Sequence, residues 1–190
     1  MIDLLSDSVS DLLVIEKLSK SNLNDSFSVL DKYSEYKDFL YNDAIQYQEL
    51  YINNTYLLIE RSSRKILAYI SFACDTVALN PKEKKNASLK DIPYTFLPAF
   101  KITKLAVSNL AGDYNHIGSY LIMFACDKAF NCNNEYGACR IVSVDADVEH
   151  NPDVIKFYEK NGFRPLKSNI YKRKFPTRTK IIGMWKDMFE

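Results

Sequence analysis

The sequence predicts a mixed α/β fold (α+β) built on one sheet of about six or seven strands. Three observations carry that prediction. An apolar, β-branched run from Ile102 to Val107 leads through polar turn residues into Gly118, Leu121, Ile122, Ala125, Cys126 and Ala129, which recur at helical spacing. Two further apolar runs, Thr55 to Ile59 and Lys65 to Ala73, flank the polar turn Arg61-Ser62-Ser63-Arg64 and read as a hairpin. Near the C-terminus, Asn151-Pro152 opens and Asn161-Gly162 closes a short helix with Val154, Ile155, Phe157 and Tyr158 on its apolar face.

Taken in order, Leu12, Leu13, Val14, Ile15 and Leu18 fit either a helix face or a short buried strand, with a strand at Leu13 to Leu18 favoured, and Ser34 to Tyr51 reads as a helix with Tyr36, Phe39, Leu40, Ala44, Tyr47 and Leu50 on one side. In the hairpin's second strand, Ile66, Ala68, Ile70 and Phe72 alternate with Leu67, Tyr69 and Ser71. Bulk on both faces predicts a strand inside a covered sheet. Asn80 to Asp91 is charged and proline-bounded, which predicts a solvated loop. Asn131 to Gly137 reads as a polar break and Cys139 to Val144 as another buried strand. Ile170 to Phe175 and Lys180 to Met188 read as closing strands.

The length of 190 residues suits a single domain, 1–190, with one substantial core. A hydrophobic content of 47% with 5 Gly and 6 Pro argues against a disordered or repetitive chain. The net charge of +1 demands no particular partner. Cys74, Cys126, Cys132 and Cys139 form no C-x-x-C pair, and His116 and His150 are the only histidines, so no metal site is expected. The acidic N-terminus lacks a signal-peptide core, and the longest apolar run, Tyr120 to Cys126, is far shorter than a membrane span. The expectation is a cytoplasmic protein, with no membrane association and with reduced, mostly buried thiols.

The turn between the central strand and its helix holds the chemistry. A chain that leaves a strand and opens a helix at a glycine points unpaired N–H groups outward at the helix's positive end, an arrangement suited to a phosphate. Ser108, Asn109, Gly112, Asp113 and Asn115 supply the turn residues.

KLAVS at the central strand, a turn ending in Ile117-Gly118, and Asn151 to Phe163 (NPDVIKFYEKNGF) occur in the order and at the intervals of the GCN5-related N-acetyltransferase (GNAT) superfamily. The chain resembles that family from about Leu13 to its C-terminus. The resemblance implies a sheet of six to seven strands with splayed central strands and about four helices. It implies acetyl-CoA as acetyl donor, with backbone groups of Leu105, Ala106 and Val107 pairing with the pantetheine amides like an added strand. Asp113, Tyr114, Asn115, His116, Ile117, Gly118 and Ser119 match the turn that holds the pyrophosphate, and Asn151 matches a further cofactor contact. Tyr158 matches the tyrosine that stabilises or protonates the departing thiolate, and the N–H of Val107 would serve the oxyanion. Without the family, Tyr158 reads as an amphipathic core residue.

The turn departs from the family's Q/R-x-x-G-x-G/A pattern, reading Asp113-Tyr114-Asn115-His116-Ile117-Gly118. An acid and an imidazole thus stand where a diphosphate would bind, which keeps a non-catalytic CoA-binding or partner-binding module open. Glu60, Asp75 and Glu149 near predicted strand ends are open as general bases, and nothing in the sequence selects among them. DFLYNDAIQYQELYINNTYLLIE and LPAFKITKLAVS resemble the compact GNAT toxins that acetylate the amino acid on charged tRNA. Arg164 to Lys180 carries seven Lys or Arg and no acid, a stripe that could meet RNA phosphates or protect a solvated edge strand. Acetyl transfer to a primary amine, its RNA-directed version and the non-catalytic module are therefore carried together, with a homodimer allowed by each.

Overall fold

The computed structural model describes residues 2–5, 11–135, 137–167 and 181–189. The strand expected at Ile170 to Phe175, and the basic segment beyond Lys167, lie outside these residues. Among the described residues, nine strands and five α-helices follow in chain order: β1 (Ile2–Asp3), β2 (Leu13–Lys17), α1 (Ser34–Asp38), α2 (Ala44–Glu49), β3 (Asn54–Glu60), β4 (Ile66–Ala78), α3 (Pro81–Asn86), β5 (Phe96–Val107), β6 (Tyr114–Asn115), α4 (Ile117–Glu135), β7 (Ile141–Asp147), α5 (Val154–Lys160), β8 (Arg164–Pro165) and β9 (Ile181–Asp187). Among the described residues, seven strands form one mixed sheet in the order β2-β3-β4-β5-β7-β9-β8, and β1 pairs separately with β6.

The chain divides into two compact units, one comprising Met1–Ala73 and Thr103–Phe124, the other Cys74–Ile102 and Ala125–Glu190. The first unit is built on the antiparallel hairpin β3–β4, with Asn54 opposite Phe72 and Ile59 opposite Ile66, and on β2 beside β3. Ile66 to Phe72 are all buried, as a strand covered on both faces must be. Phe27, Leu40, Leu57 and Tyr69 form the unit's core; the Phe27 and Tyr69 rings meet edge to face at 5.3 Å.

The helix expected from Ser34 to Tyr51 is interrupted by a π-turn at Phe39–Asp43, closed by the Ala44 N–H donating to the Phe39 carbonyl. The extra residue rotates the buried face. Phe39, Leu40 and Ala44 stay buried, Tyr47 and Leu50 turn outward, and Gln48 turns inward to bond the Leu18 carbonyl and the Thr55 N–H.

In the second unit, β7 pairs in parallel with β5 from Ala99↔Ile141 to Ile102↔Val144 and antiparallel with β9 from Ile141↔Asp187 to Asp147↔Ile181. The β5–β7 ladder ends at Ile102, and the rest of β5 belongs to the first unit. Val77, Leu79, Leu97, Ile141 and Trp185 make the core. Beside it Arg140 reaches the fully buried Asp187 carboxylate through Nε at 3.0 Å and a terminal nitrogen at 2.8 Å.

Three expectations are corrected. The charged stretch after Asn80 contains helix α3: Asn80 Oδ1 accepts from the Lys82 and Glu83 N–H groups while Glu83 returns a bond to the Asn80 N–H, and Pro81 takes the first turn. The polar break after Phe130 is the last turn of α4, where Asn131 bonds Asp127 one turn back. The thiols are less buried than expected: Cys139 is buried, Cys126 and Cys132 are half-buried and Cys74 is exposed.

Candidate functional site

In the first unit β5 delivers Leu105, Ala106 and Val107 to a turn fixed at both ends. The Ser108 N–H donates to the Leu67 carbonyl at 2.8 Å, and its buried hydroxyl oxygen accepts from the N–H groups of Ser28 at 3.3 Å and Leu110 at 3.2 Å. At the far end β6 runs parallel to β1, the Ile2 N–H donating to the Asp113 carbonyl at 2.8 Å. The Tyr114 hydroxyl donates to the Glu60 carboxylate at 2.6 Å, and burial first, then that carboxylate, pushes the phenol up to about 12.

His116 has φ +60°, the left-handed conformation that glycine enters freely and that Asn, Asp and His enter more readily than other side chains. The position that departs from the glycine pattern thus keeps a glycine-like backbone. Its imidazole Nδ1 lies 2.8 Å from an Asp3 carboxylate oxygen, so the ring is tied to β1. Asp113 is exposed, which spares a bound anion its charge.

The ladder of α4 begins with the Tyr120 N–H on the His116 carbonyl at 2.9 Å, so the N–H groups of Ile117, Gly118 and Ser119 have no acceptor within the helix. The first turn of α4 carries no acid. Three main-chain donors at the positive end of a 19-residue helix form a cradle of the kind a diphosphate fits.

The second unit carries Asn151 and Tyr158. Asn151 does not cap the helix directly: its Oδ1 accepts from the Asp153 N–H at 3.2 Å in an Asx turn, and α5 starts at Val154. The helix ends in a full Schellman motif, the Phe163 N–H donating to the Tyr158 carbonyl at 3.0 Å and the Gly162 N–H to the Glu159 carbonyl at 2.9 Å. Gly162 supplies the required positive φ of 86°. The Tyr158 ring is clamped between those of Phe157 at 5.0 Å and Phe163 at 5.4 Å. Only 6% of Tyr158 is exposed, and burial drives its phenol far above the ordinary value of 10.0.

Of the three acids open as bases, Glu60 is bound by the Ser63 and Tyr114 hydroxyls, whose hydrogen bonds hold it below its ordinary 4.5 and make it a weak proton acceptor. Asp75 sits 3.4 Å from Lys101, which also holds Asp145 at 2.9 Å, and Glu149 is exposed. Sequence reasoning missed the fastening of the turn by Ser108 and Asp3, because both bonds join residues far apart in the chain.

This order of strands, with a turn-to-helix cradle after the central strand, is the GNAT fold. No family model and no curated protein matches the chain. Solved structures do: AtaT complexed with acetyl-methionyl-tRNAfMet (19% identity, TM-score 0.73, covering 93% of this chain and 95% of that one) and a tyrosine-to-phenylalanine mutant of KacT (16% identity, TM-score 0.71, 90% and 94%). AtaTR bound with AcCoA is similar at 20% identity and TM-score 0.68, over 94% and 95% of the two chains. Among the described residues no group of His, Cys, Asp or Glu is placed to hold a metal, and no helix is long and apolar enough to cross a membrane.

Proposed function

We propose that residues 1–190 act as one acetyl-CoA-dependent N-acetyltransferase on a primary amine. The observation that carries this reading is the cradle at the start of α4: N–H groups of Ile117, Gly118 and Ser119 that precede the helix's own ladder, His116 in a glycine-like conformation, and its ring bonded to Asp3. The turn from Asp113 to Ser119 holds the diphosphate, Leu105, Ala106 and Val107 pair with the pantetheine amides, and Asn151 adds a further cofactor contact. The end of the β5–β7 ladder at Ile102, before those three residues, supports that pairing. Acetyl-CoA supplies an activated acyl group: a C–N bond forms, the thioester C–S bond breaks, the amine gives up a proton and the thiolate takes one. The Val107 N–H is the donor assigned to the oxyanion.

Tyr158 meets the departing sulfur. Because its phenol lies far above its ordinary value while a thiol titrates near about 8.5, complete transfer of its proton is uphill. Its contribution is a hydrogen bond to the thiolate, the final proton coming from elsewhere.

A second reading is acetyl transfer to aminoacyl-tRNA, favoured by the likeness to AtaT complexed with acetyl-methionyl-tRNAfMet. A related structure, AtaT with the C-terminus of the antitoxin AtaR, makes a protein antitoxin the corresponding partner. Expression of the intact chain separates the readings: the RNA-directed enzyme arrests translation and Tyr158→Phe relieves the arrest, whereas harmless high expression contradicts it. Release of free CoA with an added amine tests the broader proposal.

A further inference from the structure

Four described residues other than glycine have positive φ: Tyr51, Arg64, Ser88 and His116. Three of them stand where a left-handed residue is routine. Tyr51 and Ser88 follow the ends of α2 and α3, and Arg64 lies in the β3–β4 connection. His116 differs, because its carbonyl accepts the first bond of α4 and it therefore occupies the N-cap, where the backbone is ordinarily extended. A residue with a Cβ keeps φ +60° there only if its surroundings fix it.

Those surroundings come from β1, 113 residues earlier in the chain. The His116 Nδ1 lies 2.8 Å from the Asp3 Oδ1, and the same oxygen accepts from the Leu5 N–H at 3.0 Å, which fixes the carboxylate in turn. Main-chain bonds set β1 against the turn: the Ile2 N–H donates to the Asp113 carbonyl at 2.8 Å and the Leu4 N–H to the Asn115 carbonyl at 3.3 Å. The buried Leu4 side chain anchors the strand. β1 thus grips the turn at Asp113, Asn115 and His116, immediately before the helix. Since φ of His116 sets the direction in which the chain leaves β6 and enters α4, relaxing it turns the N–H groups of Ile117, Gly118 and Ser119 relative to the residues before them.

We infer that Asp3 is a positioning residue for the cradle: by holding the His116 ring it keeps the N-cap left-handed, and so does from a distant strand what a glycine at that position does unaided. That the cradle serves acetyl-CoA rests on the transferase reading; the hold of Asp3 on the turn does not. The coupling runs both ways, so a ligand that needs the turn in this conformation also favours the docked β1.

A double-mutant cycle on the full chain separates this role from a general loosening of the fold. It uses Asp3→Ala, His116→Gly and the two together. Acetyl-CoA affinity is read by calorimetry, and the order of the turn is read without cofactor as exchange protection of the Tyr120 amide, which bonds the His116 carbonyl. Asp3→Ala is expected to weaken acetyl-CoA binding about tenfold in the parent, and by less than about twofold when His116→Gly is also present. Tyr120 protection is expected to follow the same pattern. An equal loss in both backgrounds, the result if Asp3 serves only the Leu5 N–H, overturns the inference, as does unchanged binding and protection in Asp3→Ala. The exchange pattern without acetyl-CoA binding by the parent upholds the positioning role and removes the transferase reading.

Discussion

Tyr158→Phe removes one oxygen and leaves the aromatic clamp standing. The ring keeps its contacts with Phe157 at 5.0 Å and Phe163 at 5.4 Å, and the Schellman bonds of α5 involve only main chain. Stability is therefore expected to change by no more than about 1 kcal/mol, or roughly 2–4 °C in Tm for a chain of this size. The rate is a different matter. A hydrogen bond to a charged partner contributes about 1.5–3 kcal/mol, and the 6% exposure of Tyr158 places its hydroxyl where water competes poorly. If that bond forms to the thiolate only as the C–S bond breaks, kcat falls roughly 10- to 150-fold with KM for acetyl-CoA little changed. The assay is release of free CoA thiol at saturating amine, paired with thermal denaturation of the same preparation. A kcat within about threefold of the parent refutes the role. A large loss of Tm would assign Tyr158 to packing instead.

Further outcomes follow from the same geometry. Gly162→Ala forces a Cβ into φ +86° and brings it 3.4 Å from the Lys186 Cε, and is expected to cost about 1–2 kcal/mol, read as a lower Tm and weaker amide-exchange protection of Phe163. Asp187→Ala strands the Arg140 guanidinium beside a buried gap and should cost about 3 kcal/mol by urea denaturation. The Asp3 carboxyl lies below its ordinary 3.8, chiefly through the His116 hydrogen bond and then the Leu5 N–H. A depressed carboxyl stabilises the fold above its unfolded value, and that contribution disappears as pH falls through the folded one. Protection of the Ile2 and Leu4 amides should accordingly hold to about pH 4 and fade below it, and Asp3→Asn should remove the dependence.

Legibility in the sequence followed the range of the forces involved. The hairpin, the start of α4 and the close of α5 were readable because short-period patterning and local cap chemistry determine them, as at Asn161-Gly162. Helix α3 was readable too and was missed: Asn80-Pro81-x-Glu83 is a capping box with proline in the first turn, and the lysines around it drew the reading towards solvent. The π-turn left no local signature, since Tyr47 and Leu50 fit an uninterrupted helix and only the bond from the Ala44 N–H to the Phe39 carbonyl reveals the extra residue. The full length of β5 was hidden by Pro98, which the strand carries at an exposed position beside the buried Leu97 and Ala99. At the site, the turn's position was visible, but its fastening by Asp3 and Ser28 depends on contacts that no short pattern encodes.

The main-chain cradle at Ile117 to Ser119 is tested most directly by acetyl-CoA calorimetry on the intact chain and on Ser119→Glu. A carboxylate in the first turn favours the helix by about 0.3–1 kcal/mol through its dipole and repels a diphosphate in the same place. The account predicts that the parent binds acetyl-CoA and that the variant binds it about tenfold or more weakly with no loss of Tm. No binding by the parent at millimolar acetyl-CoA, or unchanged affinity in the variant, would contradict it.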